Sequence, residues 1–74
     1  MDDKEWRTFV TVVDEGNITK AAEKLFVSKP ALSYRLRHLE DSVGYYLLLR
    51  TTEGIALTPQ GEIYYDYCKR MLHD

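Results

Sequence analysis

The sequence predicts a single, mainly α-helical domain in which a short β-hairpin separates a third helix from a fourth. Three observations carry this prediction. Apolar residues recur at helical spacing in four segments, Asn, Ser and Thr stand where helices would begin, and a glycine-containing turn joins two short apolar runs. The 74 residues suffice for one domain with a small core. A chain of this size without disulfides or metals relies on well-packed helices or on a partner copy.

The first two helices are predicted from apolar spacing and from one capping residue. An apolar stripe at helical spacing predicts an amphipathic helix over about residues 4–14. The stripe contains Trp6, Phe9, Val10 and Val13. Asn17 is a natural N-cap for a second helix over about residues 18–26. The paired residues Ala21 and Ala22 predict that another helix packs closely against it.

The third helix carries the most informative pattern. Ser28 is a natural N-cap and Pro30 falls in the first turn, so a helix is predicted over residues 29–43, ending before Gly44. Its apolar stripe consists of Leu32, Leu36, Leu39 and Val43. The opposite face presents Pro30, Ser33, Tyr34, Arg37 and Asp41. A helix that follows another after a three-residue break, with this division of faces, is typical of the recognition helix of a helix-turn-helix.

Two apolar runs, at residues 45–50 and 55–57, flank a turn that contains Gly54. This pattern predicts a β-hairpin. Since two strands alone are marginally stable, the hairpin must pack against the helices, as a wing does. The predicted fold is therefore a mainly α winged helix-turn-helix with a three-helix core, a two-stranded β-hairpin wing and a carboxy-terminal helix.

Thr58 and Pro59 open the last helix, as cap and first helical residue. Its apolar residues, predicted to line one side, are Ile63, Tyr64, Tyr67, Cys68 and Met71. The pattern still runs at the last residue, which indicates a piece of a longer protein. We therefore expect residues 1–58 to form the winged domain and residues 59–74 to begin a longer helix.

Charge is distributed unevenly along the chain. The formal net charge is −2, which by itself does not favour a polyanionic partner. However, residues 20–50 hold six of the ten basic side chains and are net positive, whereas the segments on either side are net negative. Because local rather than total charge decides where a polyanion is attracted, the pattern favours nucleic-acid binding through the middle of the chain.

Several motifs, in order and at matching spacing, resemble the amino-terminal domain of LysR-type bacterial transcription regulators. They are Phe9-Val10, residues 16–25 (GNITKAAEKL), residues 27–33 (VSKPALS), Leu36, Leu39-Glu40, Gly44, Arg50 and residues 57–61 (LTPQG). The likeness covers essentially the whole chain. It implies that residues 59–74 begin a linker helix. It also implies sequence-specific binding of double-stranded promoter DNA as a homodimer through that helix, or as a tetramer of the full-length protein.

The resemblance also implies a carboxy-terminal domain that binds a small-molecule effector, and that domain is absent from this chain. Three residues depart from the usual pattern. Lys29 stands where Gln is frequent, Tyr34 where Arg or Gln is common, and Leu48 where Phe is usual. Because Lys29 and Tyr34 lie at the expected DNA face, no operator sequence can be transferred from the family.

The residues expected at the DNA come from the second helix, the third helix and the wing. They are Thr19, Lys20, Ser28, Lys29, Pro30, Ser33, Tyr34, Arg37 and Arg50. Arg37 suits a guanine edge or a phosphate, Ser33 a phosphate, and Tyr34 a phosphate or a thymine methyl group. The start of the third helix also attracts a phosphate through its free N–H groups.

Two of these residues have a structural alternative. The Thr19 hydroxyl could instead bond to the backbone of its own helix. Arg50 could pair with a carboxylate that holds the hairpin rather than contact DNA. The sequence leaves both alternatives open.

Ile63, Tyr64, Tyr67 and Met71 are the residues expected at a dimer interface. The resemblance implies that the linker helices of two chains pack antiparallel. Single-stranded bases could also stack on the aromatic set, but at this spacing packing or dimerisation is the favoured role. The set consists of Tyr45, Tyr46, Tyr64, Tyr65 and Tyr67.

Other functional classes find little support. His73 follows Cys68 by five residues, so the two share no helix face, and His38 has no second ligand at metal spacing. We therefore expect no catalytic site, no metal and no cofactor. The single cysteine, the absence of an 18-residue apolar run and an amino terminus unlike a signal peptide favour a cytoplasmic protein with no membrane partner. The resemblance to LysR-type regulators implies a location at the bacterial nucleoid.

Two alternatives remain within the winged fold. One is a winged helix that binds only proteins, and the other is a regulator of another winged-helix family, such as the molybdate-responsive ones. Gel-shift experiments with competitor DNA would test the first alternative. The sequence beyond residue 74 would test the second.

Overall fold

The computed structural model describes residues 3–72. The elements in chain order are α1 (Asp3–Glu15), α2 (Ile18–Leu25), α3 (Lys29–Val43), β1 (Leu48–Thr51), β2 (Gly54–Leu57) and α4 (Pro59–Met71). This is the winged helix-turn-helix predicted from the sequence. The N-caps Asn17, Ser28 and Thr58 each accept a hydrogen bond from the backbone N–H three residues further on, as predicted. None of the helices in residues 3–72 is long and apolar enough to span a membrane.

The start of the wing differs from the prediction. The first strand begins at Leu48 rather than at Tyr45, and it pairs antiparallel with β2 from Leu48–Leu57 to Thr51–Gly54. Tyr45 and Tyr46 precede the strand and are 58% and 80% exposed. The predicted strand therefore begins too early. The sequence does not distinguish the two tyrosines between α3 and the wing from strand residues.

The core consists of two adjoining clusters of buried side chains. One joins α1, the end of α3, the start of the wing and α4 through Phe9, Leu39, Leu47, Tyr64 and Cys68. The other joins α1, α2 and α3 through Val12, Ala21, Ala22, Leu32 and Leu36. Ala21 and Ala22 are 0% and 3% exposed, which confirms the predicted close approach of α2 to its neighbours. The two clusters fix α3 from behind and leave its other face to solvent.

The wing is held to the helices by backbone contacts at both ends. The Ile55 N–H donates to the Gly16 carbonyl at 3.1 Å, and the Thr58 N–H donates to the Leu47 carbonyl at 3.1 Å. A Cβ at Gly54 would overlap the Gly16 carbonyl oxygen, and one at Gly61 would overlap that of Leu47. The wing is therefore docked on the α1–α2 loop and on the start of α4.

The apolar residues of α4 lie within one arc of the helix, and the core covers only part of that arc. Tyr64 and Cys68 are buried against α1 and the wing. Ile63, Tyr67 and Met71 are 72%, 40% and 48% exposed. These three residues form an exposed stripe along one edge of that arc, because the apolar arc is wider than the core that covers it.

Candidate nucleic-acid interface

The amino-terminal turn of α2 presents Thr19 and Lys20 to solvent. Asn17 begins this turn and its side-chain oxygen accepts from the Lys20 N–H at 2.9 Å. Thr19 and Lys20 are both exposed. Lys24, one turn further on, differs because its ammonium lies 3.2 Å from the Glu15 carboxylate. The first turn therefore offers a hydroxyl and a cation to an outside anion.

The amino-terminal turn of α3 presents Ser28, Lys29 and Pro30, all of them exposed. The Ser28 hydroxyl oxygen accepts from the Ala31 N–H at 3.2 Å and so caps the helix. Pro30 has no N–H to leave unsatisfied in this turn. The capped end concentrates positive potential beside the Lys29 ammonium.

The exposed face of α3 continues with Tyr34 and Arg37. Tyr34 is 67% exposed, and its ring lies 6.3 Å from that of His38 one turn later. Arg37 is also exposed. Behind them, Leu32 and Leu36 are buried, so the helix turns its polar side chains outward as predicted.

Ser33 and Arg50 meet at the junction of α3 and the wing. An Arg50 Nη2–H donates to the Ser33 hydroxyl oxygen at 3.1 Å. The two line a notch of about 120 Å³ that also includes Arg37, Glu40 and Ile55. Within residues 3–72, no carboxylate lies within ion-pair distance of Arg50. The sequence left open whether Arg50 contacts DNA or pairs with a carboxylate. The described residues do not support the pairing with a carboxylate.

Glu40 is the residue whose role the sequence did not reveal. Its Oε2 accepts from the backbone N–H groups of Leu47 and Leu48, at 2.7 and 3.0 Å. These two hydrogen bonds fix the start of β1 against α3, and they therefore set the position of the wing relative to the recognition helix. The sequence showed Glu40 only as part of a motif, because its partners are backbone groups seven and eight residues away.

His38 and Cys68 both contact other parts of the fold. His38 Nδ1 lies 4.0 Å from a Glu5 carboxylate oxygen, linking α3 to α1. Cys68 is fully buried, and burial raises the pKa of its thiol. Among residues 3–72, no group of three potential ligands is placed to hold a metal. His73 lies outside the described residues.

The residues expected at a dimer interface divide between surface and core. Ile63, Tyr67 and Arg70 border a groove of about 430 Å³ beside the α3–wing loop. Tyr64 is 8% exposed and packs edge-on against Phe9, with ring centroids 5.0 Å apart. Burial raises the pKa of its hydroxyl. Within one chain, Tyr64 is thus a core residue, and the exposed stripe consists of Ile63, Tyr67 and Met71.

Residues 4–62 match the family model described as the bacterial regulatory helix-turn-helix protein, lysR family. The chain belongs to this family. Its relatives include the transcriptional regulator BenM of Acinetobacter baylyi, 39% identical over 97% of the chain, and the transcriptional activator AaeR of Escherichia coli, 42% identical over 96%. This LysR-type chain spans 24% and 23% of the length of those proteins. This match excludes the alternative that the chain belongs to the molybdate-responsive family of winged-helix regulators.

Solved structures agree with the sequence match. The LysR-type chain superposes on the BenM DNA-binding domain, in complex with catB site 1 DNA, with a TM-score of 0.90 and 39% identity over 97% of this chain and 81% of that one. It superposes on the CbnR DNA-binding domain, in complex with DNA, with a TM-score of 0.89 and 33% identity over 97% and 83%. The described residues thus form a LysR-type winged helix-turn-helix.

Proposed function

We propose that this chain binds double-stranded DNA sequence-specifically, as the promoter-recognition domain of a LysR-type transcriptional regulator. The observation that carries the proposal is the outward face of α3. It presents Lys29, Tyr34 and Arg37 while the apolar stripe behind them is buried. An α-helix with this division of faces fits the major groove, with its amino-terminal half nearest the bases. The match to two DNA-bound domains supports this placement.

The proposed contacts divide into those that read bases and those that bind the backbone. Arg37 and Tyr34 lie on the outward face of α3 and are assigned to base edges, with Pro30 beside them. The remaining assigned residues are placed at phosphates. They are Thr19, Lys20, Ser28, Lys29, Ser33 and Arg50. Phosphate contacts position a protein on the duplex, and base contacts give it sequence preference.

Competition binding with single substitutions tests this division. The wild-type chain first selects a duplex from a random-sequence pool, and gel shifts then compare that duplex with unselected DNA. Arg37→Ala should cost about 1–3 kcal/mol on the selected duplex and less on unselected DNA. Lys20→Ala should weaken both equally and lower the salt slope by about one unit. Arg7→Ala is the charge-matched control, since that guanidinium pairs with Asp3 on α1.

Equal losses on both DNAs would move Arg37 to the phosphate class. A wild-type chain that selects and shifts no duplex would favour the alternative of a winged helix that binds only proteins. That alternative would then be examined through the exposed stripe on α4.

The proposed assembly is a homodimer through α4, with residues 1–58 as the DNA-binding unit and residues 59–74 as the beginning of a linker helix. The exposed residues Ile63, Tyr67 and Met71 support it. A tetramer, a small-molecule effector bound by a carboxy-terminal domain, and a cytoplasmic location at the nucleoid are proposed for the whole protein. The curated relatives are transcriptional regulators, and we assign the chain no enzymatic activity, cofactor or metal.

A further inference from the structure

His38 lies on α3 between the outward face of that helix and α1. Its imidazole neighbours the ring of Tyr34 one turn earlier, with ring centroids 6.3 Å apart. Its Nδ1 lies 4.0 Å from Oε2 of Glu5 on α1, at the upper limit for an ion pair. Leu39, the next residue, is 2% exposed and fixes the backbone behind the imidazole. One side chain therefore borders both a residue assigned to the bases and a carboxylate of another helix.

The charges that face His38 from α1 and α3 nearly balance. Lys4, Glu5 and Arg35 line, together with His38, a groove of about 330 Å³ between the two helices. Asp41 follows His38 by three residues on α3, so these two side chains share a helix face. Two cations and two carboxylates of the described residues thus lie around the imidazole. A proton on the imidazole therefore decides whether this part of the surface is neutral or positive.

The charge of His38 can change without any change of fold. Histidine is the side chain whose charge ordinarily changes between pH 5 and 8. The His38 side chain is 63% exposed, so it exchanges protons directly with solvent. It is also the only histidine within residues 3–72. The groove between α1 and α3 therefore gains one positive charge as the pH falls through this range.

We infer that His38 makes DNA binding by this chain depend on pH, and that the protonated form binds more tightly. The inference rests on the proposed function. A proton on His38 adds a positive charge beside Tyr34, where the proposed function places the duplex, and it offsets the Glu5 carboxylate, which repels phosphates. Because DNA is a polyanion, both changes favour the complex. By linkage, binding of the duplex takes up a proton at His38.

Binding measured across pH at constant ionic strength tests the inference. The wild-type chain first selects a duplex from a random-sequence pool, and fluorescence anisotropy then gives its Kd from pH 5.5 to 8.5. The wild type should bind about fivefold more tightly at pH 5.5 than at pH 8.5. His38→Gln should bind with the weaker affinity at both pH values, because glutamine is uncharged. His38→Arg should bind with the tighter affinity at both, because arginine stays charged.

His73→Gln is the matched control, since it removes the other histidine of the chain and should leave the pH dependence unchanged. The salt dependence of binding gives a second readout that a purely structural role of His38 would not alter. For the wild type, the slope of log K against log salt should be about one unit steeper at pH 5.5 than at pH 8.5. For His38→Gln the two slopes should be equal. Thermal melts at both pH values check that each variant is folded.

The outcomes separate this inference from the proposed function. A wild-type affinity that stays constant or falls as the pH is lowered would overturn the role of His38 while leaving DNA binding intact. A His38→Gln variant that keeps the wild-type pH dependence would do the same. A wild-type chain that binds no duplex at any pH would overturn the proposed function and this inference with it.

Discussion

At the scale of single residues, Phe26 shows a conflict between backbone and side chain. It ends α2 in the left-handed conformation, with φ 59° and ψ 42°, and its N–H donates to the carbonyl of Glu23 at 3.2 Å. That conformation costs an L-residue roughly 1–2 kcal/mol, which is why glycine is usual at this position. The Phe26 side chain is 94% exposed, so packing does not offset the cost.

Phe26→Gly should therefore raise the free energy of unfolding, by roughly 0.5–1 kcal/mol after the greater chain entropy of glycine is subtracted. Urea unfolding monitored by circular dichroism measures the change. Tyr46→Gly is the matched control, because it removes an 80% exposed aromatic residue from a backbone without positive φ. An equal effect of the two substitutions would contradict the explanation.

At the scale of elements, the wing depends on Glu40. Glu40→Ala would leave the N–H groups of Leu47 and Leu48 without their acceptor. The free energy of unfolding should fall by about 1–3 kcal/mol, as expected when partly buried donors lose a charged partner. Asp41→Ala, at the exposed neighbouring position, should change little. Equal free energies of unfolding for the two variants would show that the hydrogen bonds accepted by Glu40 do not stabilise the fold.

The docking of α4 on α1 includes a pH-dependent contact. The Tyr65 hydroxyl donates to Asp14 Oδ1 at 2.6 Å, and this bond raises the pKa of Tyr65 from 10.0 to about 12. Because the folded pKa lies above the unfolded one, the stabilisation is fully present below pH 10 and is lost as the pH rises toward 12.

Tyr65→Phe should destabilise the chain by about 1 kcal/mol at neutral pH and reduce the loss of stability between about pH 10 and 12. Unfolding measured across that range tests both expectations. Tyr46→Phe is the control, since Tyr46 is exposed and belongs to no helix or strand. If Tyr65→Phe left the pH dependence of the free energy of unfolding unchanged, other groups would govern the loss of stability at alkaline pH.

At the scale of the whole molecule, we expect the exposed stripe on α4 to govern assembly. Each copy measures 25 × 24 × 20 Å over its Cα atoms, so two copies side by side can span the roughly 34–36 Å between half-sites one turn apart. The stripe is short, and we expect a weak, concentration-dependent dimer.

Sedimentation velocity over a wide concentration range should therefore show a monomer–dimer equilibrium. Ile63→Glu should shift it toward monomer, because Ile63 is 72% exposed and a buried, unpaired carboxylate is costly. Thr52→Glu adds the same charge at the exposed wing turn and should leave the equilibrium unchanged. A monomeric wild type, or a dimer indifferent to Ile63→Glu, would place self-association elsewhere.

Local signals in the sequence determined the helices, their caps and the outward face of α3. Asn17, Ser28 and Thr58 act on backbone groups three residues away, and apolar spacing repeats within a few turns, so both can be recognised without tertiary structure. The family could be recognised for the same reason, since its motifs are contiguous. The start of strand β1 was predicted less well. Tyr45 and Tyr46 are residues of a type common in strands, but they do not pair with β2.

The tertiary structure decided which groups meet across long stretches of chain. Tyr64 and Tyr67 are both apolar positions of α4, yet one packs on Phe9 and the other is 40% exposed. Arg50 and Ser33 lie 17 residues apart, and their contact follows from how the wing is docked. Such pairs depend on the relative placement of packed elements, which apolar periodicity constrains only to a face and not to a partner.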